Sequence, residues 1–276
     1  MRIAWITDPH LNHCALAAWD RLISQVLECQ CEAVIISGDI SEGEDVVFQL
    51  RRLADAVRLP IHFVLGNHDF YHSSIDRTRA AIRKAAAEHP LLNYLTDSAP
   101  VSMGGVALIG VDGWGDATVG AYERSTVRLN DFRLIDDFFL AAPSLWKSIL
   151  LDLGQGSARR LQSLLLSAAE LHKSLLVVTH VPPFRQACWY QGQTTDDNWA
   201  PFFVSGQCGD ALIDFAQSHS DSTIDVLCGH THSGGIARMR DNLAVTTAGA
   251  DYGNPEVAAV IVISDGQVTL ERKAGC

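Results

Sequence analysis

An α/β fold built on parallel strands is predicted for this chain by three observations. Short β-branched runs alternate with helical stretches through its first third, which is the rhythm of strands joined by helical crossovers. A hydrophobic content of 47% over 276 residues is ample for a substantial core. The apolar runs also do not fade into loops but stop abruptly in polar residues, as at IHFVLGNHDF (61–70).

The elements follow in order. RIAWIT (2–7) reads as a strand, followed by a helix within 14–30, the strand AVIIS (33–37), a helix within 44–57, the strand IHFVL (61–65) and a helix within 73–88. Ser41 with Glu44, and Ser73 with Asp76, resemble capping boxes at two of the helix starts. From about 91 the pattern turns β-rich, with VSMGGVALIGVD at 101–112. Between 112 and 155 the rhythm is lost among acidic, aromatic and leucine residues, which suits an inserted lid or interface segment better than a separate domain. A helix within 157–172, the strand SLLVVT (174–179), an aromatic loop (181–207), a short helix, the strand IDVLC (224–228) and hairpin-like strands complete the chain. There is no internal repeat, low-complexity tract or linker, so residues 1–276 are expected to form a single domain.

Composition narrows the function. A formal charge of −11 opposes the general attraction to phosphate backbones and argues against a nucleic-acid partner. An anionic substrate would then need a local cationic site. The N-terminal apolar segment is too short for a signal peptide, and no run reaches the roughly 18 apolar residues of a membrane span, so a cytoplasmic protein with no membrane partner is expected. Seven cysteines, odd in number and scattered, suit reduced thiols, and Cys29 with Cys31 has no second pair to complete a zinc site. Nothing in the sequence indicates an oligomeric state.

Most of the chemistry stands at the strand ends. The five runs lead to Asp8 and His10, to Gly38 and Asp39, to Gly66, Asn67, His68 and Asp69, to His180, and to Gly229, His230 and His232. In open α/β sheets the loops at the carboxyl ends of strands converge on one crevice. Burying such side chains without partners costs several kcal/mol, so they require something to bind. Carboxylate and imidazole suit divalent transition metals, and the donors exceed what one ion takes but match two if a carboxylate bridges. The glycines allow tight turns beside the ligands.

Standing in order as DPH (8–10), GD (38–39), GNHD (66–69), TH (179–180) and GHTH (229–232), these blocks resemble the signature of the calcineurin-like metallophosphoesterases. The resemblance implies an α/β/β/α sandwich of four layers, with two mixed sheets flanked by helices. It implies one metal on Asp8, His10 and His232, a second on Asn67, His180 and His230, and Asp39 as the bridge. The two ions would be divalent or mixed-valence Mn, Fe, Zn, Co or Ni, and a water or hydroxide they activate would attack phosphorus in line. His68 would contact the phosphate and protonate the leaving oxygen, with Asp69 orienting that neighbourhood.

Departures from related branches narrow the expectation. Glu42 stands where purple acid phosphatases carry a tyrosine, and GDISEGE with GNHD differs from the protein serine/threonine phosphatase pattern. With VTHVPP at 178–183, the chain looks most like small bacterial-type phosphodiesterases related to cyclic-nucleotide phosphodiesterases. The substrate expected is therefore a small phosphodiester such as a nucleotide. The alternatives are a phosphomonoester, a nuclease role, which the charge disfavours, and a non-catalytic metal-binding scaffold, which the complete ligand set disfavours.

Other residues carry plainer readings. His62, His89, His172 and His219 read as surface or satisfied core histidines, whereas His13 and His72 lie close enough to two blocks to reach substrate or a ligand's partner. The tryptophans at 114 and 146 read as packing. Trp189, Tyr190 and Trp199 follow His180 on a loop expected to overhang the site, where aromatic faces can stack on a base.

Overall fold

The computed structural model describes residues 1–271, so the thiol of Cys276 lies outside the described residues. The elements are β1 (Arg2–Ile6), α1 (Leu16–Glu28), β2 (Ala33–Ser37), α2 (Asp45–Val57), β3 (Ile61–Val64), α3 (Ile75–Glu88), β4 (Leu92–Tyr94), β5 (Val101–Met103) and β6 (Val106–Val111). Next come α4 (Asp131–Leu134), α5 (Asp136–Phe139), α6 (Trp146–Ala169), β7 (Ser174–Thr179), β8 (Trp189–Tyr190), β9 (Gln193–Thr194), α7 (Ala200–Phe203) and α8 (Gly206–Ser218). The chain closes with β10 (Thr223–Cys228), β11 (Gly235–Arg240), β12 (Leu243–Thr247), β13 (Ala259–Ser264) and β14 (Gln267–Glu271).

Two mixed six-stranded sheets form, in the orders β14-β13-β1-β2-β3-β4 and β11-β12-β10-β7-β6-β5. Strands β1 to β4 run parallel in the first and β6, β7, β10 and β12 in the second, with antiparallel strands at the edges. The central strands read as continuous apolar runs because both of their faces are covered. Ile3, Trp5, Ile35, Val64, Leu108, Leu176, Val178 and Leu227 point into the layer shared by the two sheets. Their neighbours Ala4, Ile6, Val34, Ile36 and Phe63 turn to a core with residues of α1, α2 and α3. Ile109, Val177 and Val226 turn to a core with residues of α6 and α8. The period-two alternation of side chains thus produces the four layers.

Three expectations need correction. Neither Ser41 nor Ser73 caps a helix: α2 begins after Glu44, and the Ser41 hydroxyl donates to Asp45 Oδ2 at 2.5 Å instead of accepting from a helix amide. One residue beyond Ser73, Ser74 caps α3 by accepting from Arg77 N at 3.3 Å. The helix placed within 157–172 begins at Trp146 and ends at Ala169. Gly154 and Gly156 obscure its early turns in the sequence, and Gly154 is required there because a Cβ would collide with Asp116. Residues of 112–155 also share the main core, through Trp114, Phe132, Ile135, Phe138 and Leu150.

Among the described residues the six cysteines are free thiols, and no helix is long and apolar enough to cross a membrane.

A buried carboxylate ties the two sheets together at their polar end. Asp112, 1% exposed, accepts from Leu65 N at 3.0 Å, Thr96 Oγ1 at 2.8 Å, Tyr94 OH at 2.6 Å, and Arg79 Nε and Nη2 at 3.1 and 2.9 Å. Asp112→Ala strands a largely buried guanidinium, so urea unfolding should show a loss of about 3–5 kcal/mol. A loss under about 1 kcal/mol would show that the network carries little.

His62 gives a pH signature. Its ring is buried with Asn93 as partner at 3.0 Å, and burial lowers its pKa from 6.5 to about 4. As pH falls below 6.5 the unfolded chain takes the proton first. The stabilisation is therefore complete above that value and is lost as pH falls towards 4, by up to about 3 kcal/mol. His62→Gln should flatten this limb of the stability profile, measured by urea midpoints between pH 7 and pH 4.

Candidate metal centre

Before any side chain is considered, the loop after β1 is tied to the loop after β2, and the loop after β10 to the loop after β7. Asp8 N donates to Gly38 O at 3.2 Å, His10 N to Asp39 O at 3.0 Å, Gly229 N to His180 O at 3.0 Å and His180 N to Asp112 O at 2.9 Å. Within this weave Asp8, His10, Asp39, His230 and His232 all adopt left-handed backbone, with φ of 45°, 40°, 51°, 69° and 53°. Such conformations cost non-glycine residues of order 1 kcal/mol or more and collect at functional sites. Here they turn the side chains back towards one point.

That point is a double cluster. Ligand-capable atoms of Asp8, His10, Asp39 and His232 lie within 4.8 Å of one another, and those of Asp39, His180 and His230 form a second such group. Asn67 joins the second through Oδ1, 3.3 Å from His180 Nε2. The seven residues expected at the metals are therefore brought together, with Asp39 common to both groups.

The hydrogen bonds define which atoms face inward. His180 Nδ1 lies 2.9 Å from Ser37 O and His230 Nε2 lies 3.3 Å from Phe202 O. A carbonyl only accepts, so each of these nitrogens carries the hydrogen and the other nitrogen presents its lone pair to the cluster. His180 Nε2 and His230 Nδ1 then meet at 3.1 Å, and His10 Nε2 meets His232 Nε2 at 3.2 Å. The converging lone pairs of His180 and His230 repel unless a proton or cation stands between them. This donor set fits two cations.

The charges lead to the same conclusion. Burial alone would lower His180 and raise Asp39, but the surrounding groups together outweigh it: Asp39, Asp8 and the Ser37 carbonyl push His180 up to about 10, and His180, His68 and His10 hold Asp39 well below the usual carboxylate range. Burial lowers His10 and His230 to about 3, leaving both neutral and available as ligands, and pushes the Asp8 carboxyl up.

His68 and Asp69 occupy different positions. The His68 ring packs edge-on to His10 with centroids 4.8 Å apart, and its Nδ1 lies 3.8 Å from Glu42 Oε1. Asp69 is fully buried and accepts from Ser41 N at 2.9 Å and Gly66 N at 2.8 Å, which ties the loop after β2 to the loop after β3. His13 and His72 lie outside the cluster, each 3.6 Å from Glu42.

Three residues near the cluster carried no sequence signal of a site role. Tyr252 stacks on His10 with centroids 4.3 Å apart and also lies near His232. Tyr71 and Asp131 both reach Asn67. Tyr252 stands in a turn and Asp131 at the start of the short α4, neither with a motif to mark it; Tyr71, two residues beyond GNHD, looks like a core aromatic.

Two hollows approach the cluster. One, about 420 Å3, is lined by Trp189, Tyr190, Trp199, Phe203 and Thr231, and Phe203 packs on His230 with centroids 4.4 Å apart. The other, about 550 Å3 and more open, is lined by His13, Glu42, His68, Tyr71 and Tyr252.

Comparison with known proteins gives a consistent result. Residues 1–234 match the family model described as calcineurin-like phosphoesterase. Among solved structures, a dimetal phosphatase from Danio rerio is 17% identical with a TM-score of 0.63, covering 99% of this chain and 95% of that one. The phosphopantetheinyl hydrolase of Mycobacterium tuberculosis is 16% identical with a TM-score of 0.63, covering 91% and 89%. TT1561 of Thermus thermophilus is 13% identical with a TM-score of 0.57, covering 98% of each chain. At these identities the likeness is one of fold. No curated protein matches the sequence.

Gly66 tests the tightness of the cluster. A Cβ there would collide with Asp39 Oδ1 and come within 2.7 Å of His180 Cε1, although the glycine has an ordinary φ. Gly66→Ala should keep the fold by circular dichroism and lose at least about tenfold in Mn2+ affinity by calorimetry. Unchanged affinity would show that the loops can shift.

Proposed function

This chain belongs to the calcineurin-like phosphoesterases, and we propose that within that family it hydrolyses a small organic phosphodiester at a dinuclear metal centre. The observation that carries the reading is the double cluster sharing Asp39. Asp8, His10 and His232 would hold one ion, Asn67, His180 and His230 the other, and Asp39 both. When bound, the metals lower the pKa of a water and neutralise charge on the phosphoryl group.

The protein's own residues account for the remaining chemistry. Ser37 O and Phe202 O keep His180 and His230 in the tautomers that face the metals. The His68 amide donates to Asp39 Oδ1 at 2.9 Å, so the residue next to the bridge is anchored through its backbone while its imidazole stays free. That imidazole holds the proton delivered to the leaving oxygen. Asp69 positions the same loop from beneath.

A diester is favoured over a monoester because the two hollows reach the cluster at different ligands, one beside His230 and the other beside His10 and His68. A phosphoryl group held between them has room for a substituent in each. The aromatic walls of the first suit a flat organic group such as a nucleobase.

Initial rates of Mn2+-loaded protein with a chromogenic phosphodiester and the matching phosphomonoester, at equal concentration, should favour the diester. His68→Ala should cut that rate by roughly 10²- to 10⁴-fold while both ions stay bound. A monoester preference would reassign the substrate, and loss of metal in the variant would show that His68 has another role.

A further inference from the structure

Asp131, on the segment between β6 and α6, hydrogen-bonds directly to the side chain of a cluster residue. Asp131, 5% exposed, accepts from Asn67 Nδ2 at 2.9 Å and from Tyr71 OH at 2.8 Å, both on Oδ1. Asn67 needs such a partner for a chemical reason. Only the oxygen end of its amide can bind a cation, yet the two ends have nearly the same shape, so packing alone cannot choose between them.

A buried carboxylate can choose. Because it only accepts, it draws the NH2 end to itself and turns Asn67 Oδ1 towards His180 Nε2. Tyr71 holds the carboxylate in turn: its hydroxyl is donated to the same oxygen, and its ring lies on His68 with centroids 4.3 Å apart.

We propose that Asp131 is a positioning residue that selects the oxygen-inward orientation of Asn67 and thereby sets the affinity of the metal position shared with His180 and His230. This rests on the dinuclear reading above. It also gives the irregular segment a role distinct from that of a lid, since α4 supplies a fixed acceptor beneath a ligand.

The test counts Mn2+ by calorimetry and reads the coupling between ions by electron paramagnetic resonance. The unaltered protein should take up two ions and show an exchange-coupled spectrum. In D131N the new amide can pair with either end of Asn67. One ion should then stay tight, the other should weaken by about 10- to 100-fold, and the spectrum should become that of isolated Mn2+. Adding N67D to D131N should restore the second ion, because a carboxylate offers oxygen in either orientation and the new amide can donate to it; a merely structural strap would not be rescued by this exchange.

Tyr71→Phe should weaken the same position to a smaller degree, and it carries the test if D131N does not fold. Two ions at unaltered affinity with a coupled spectrum in D131N, or in Tyr71→Phe where that variant stands in, overturn the proposal, as does a double variant as defective as the single. If the unaltered protein binds fewer than two ions, the dinuclear reading fails and this inference fails with it.

Discussion

The structure depends on placing two carboxylates and four imidazoles close together with little access to water. Asp8, His10, Asp39 and His180 are all at most 2% exposed, and nitrogen faces nitrogen across 3.1 and 3.2 Å. Burial without positive charge would be strongly unfavourable for such a group. Attraction between His180 and Asp39 offsets part of that cost, and two cations would offset more of it. The acidic surface then ceases to be a paradox: the anion-binding charge is local and comes with the metals, inside a chain whose net charge is −11.

Much of the surrounding architecture offsets the cost of that convergence. Five cluster residues hold left-handed backbone, and only a framework that over-determines their positions keeps them there. Two sheets with a common apolar layer provide the framework, and backbone hydrogen bonds between neighbouring strand-end loops complete it. Asp112 and Asp69 act in the same way from below, as buried carboxylates that accept backbone amides and so lock loops to one another. Rigidity is in this sense a requirement of the site, since ligands displaced by even half an ångström would lose their common focus.

How far the sequence discloses this follows from whether the determinants are local. Parallel strands buried on both faces read as uninterrupted apolar runs, and the polar blocks stand immediately after them, so β1, β2, β3, β7 and β10 and all seven cluster residues could be located by inspection. The cap of α3 was legible only to within one residue, because Ser73 and Ser74 are adjacent and the backbone decides between them. The start of α6 was hidden by Gly154 and Gly156, whose low helix propensity masks its early turns; at Gly154 close packing against Asp116 requires the missing side chain. Asp131 and Tyr252 were not legible as site residues at all. Their roles depend on contacts with Asn67 and His10, respectively, far away in the chain, and nothing in their own neighbourhoods reports those contacts.

If the two groups of donors meeting at Asp39 are the two halves of one dinuclear centre, both must take up metal together. Crystals grown with Mn2+ and measured for anomalous scattering test it most directly. Two peaks about 3.5–4 Å apart, with the Asp39 carboxylate between them, are expected. A single peak, or peaks away from Asp39, would contradict it.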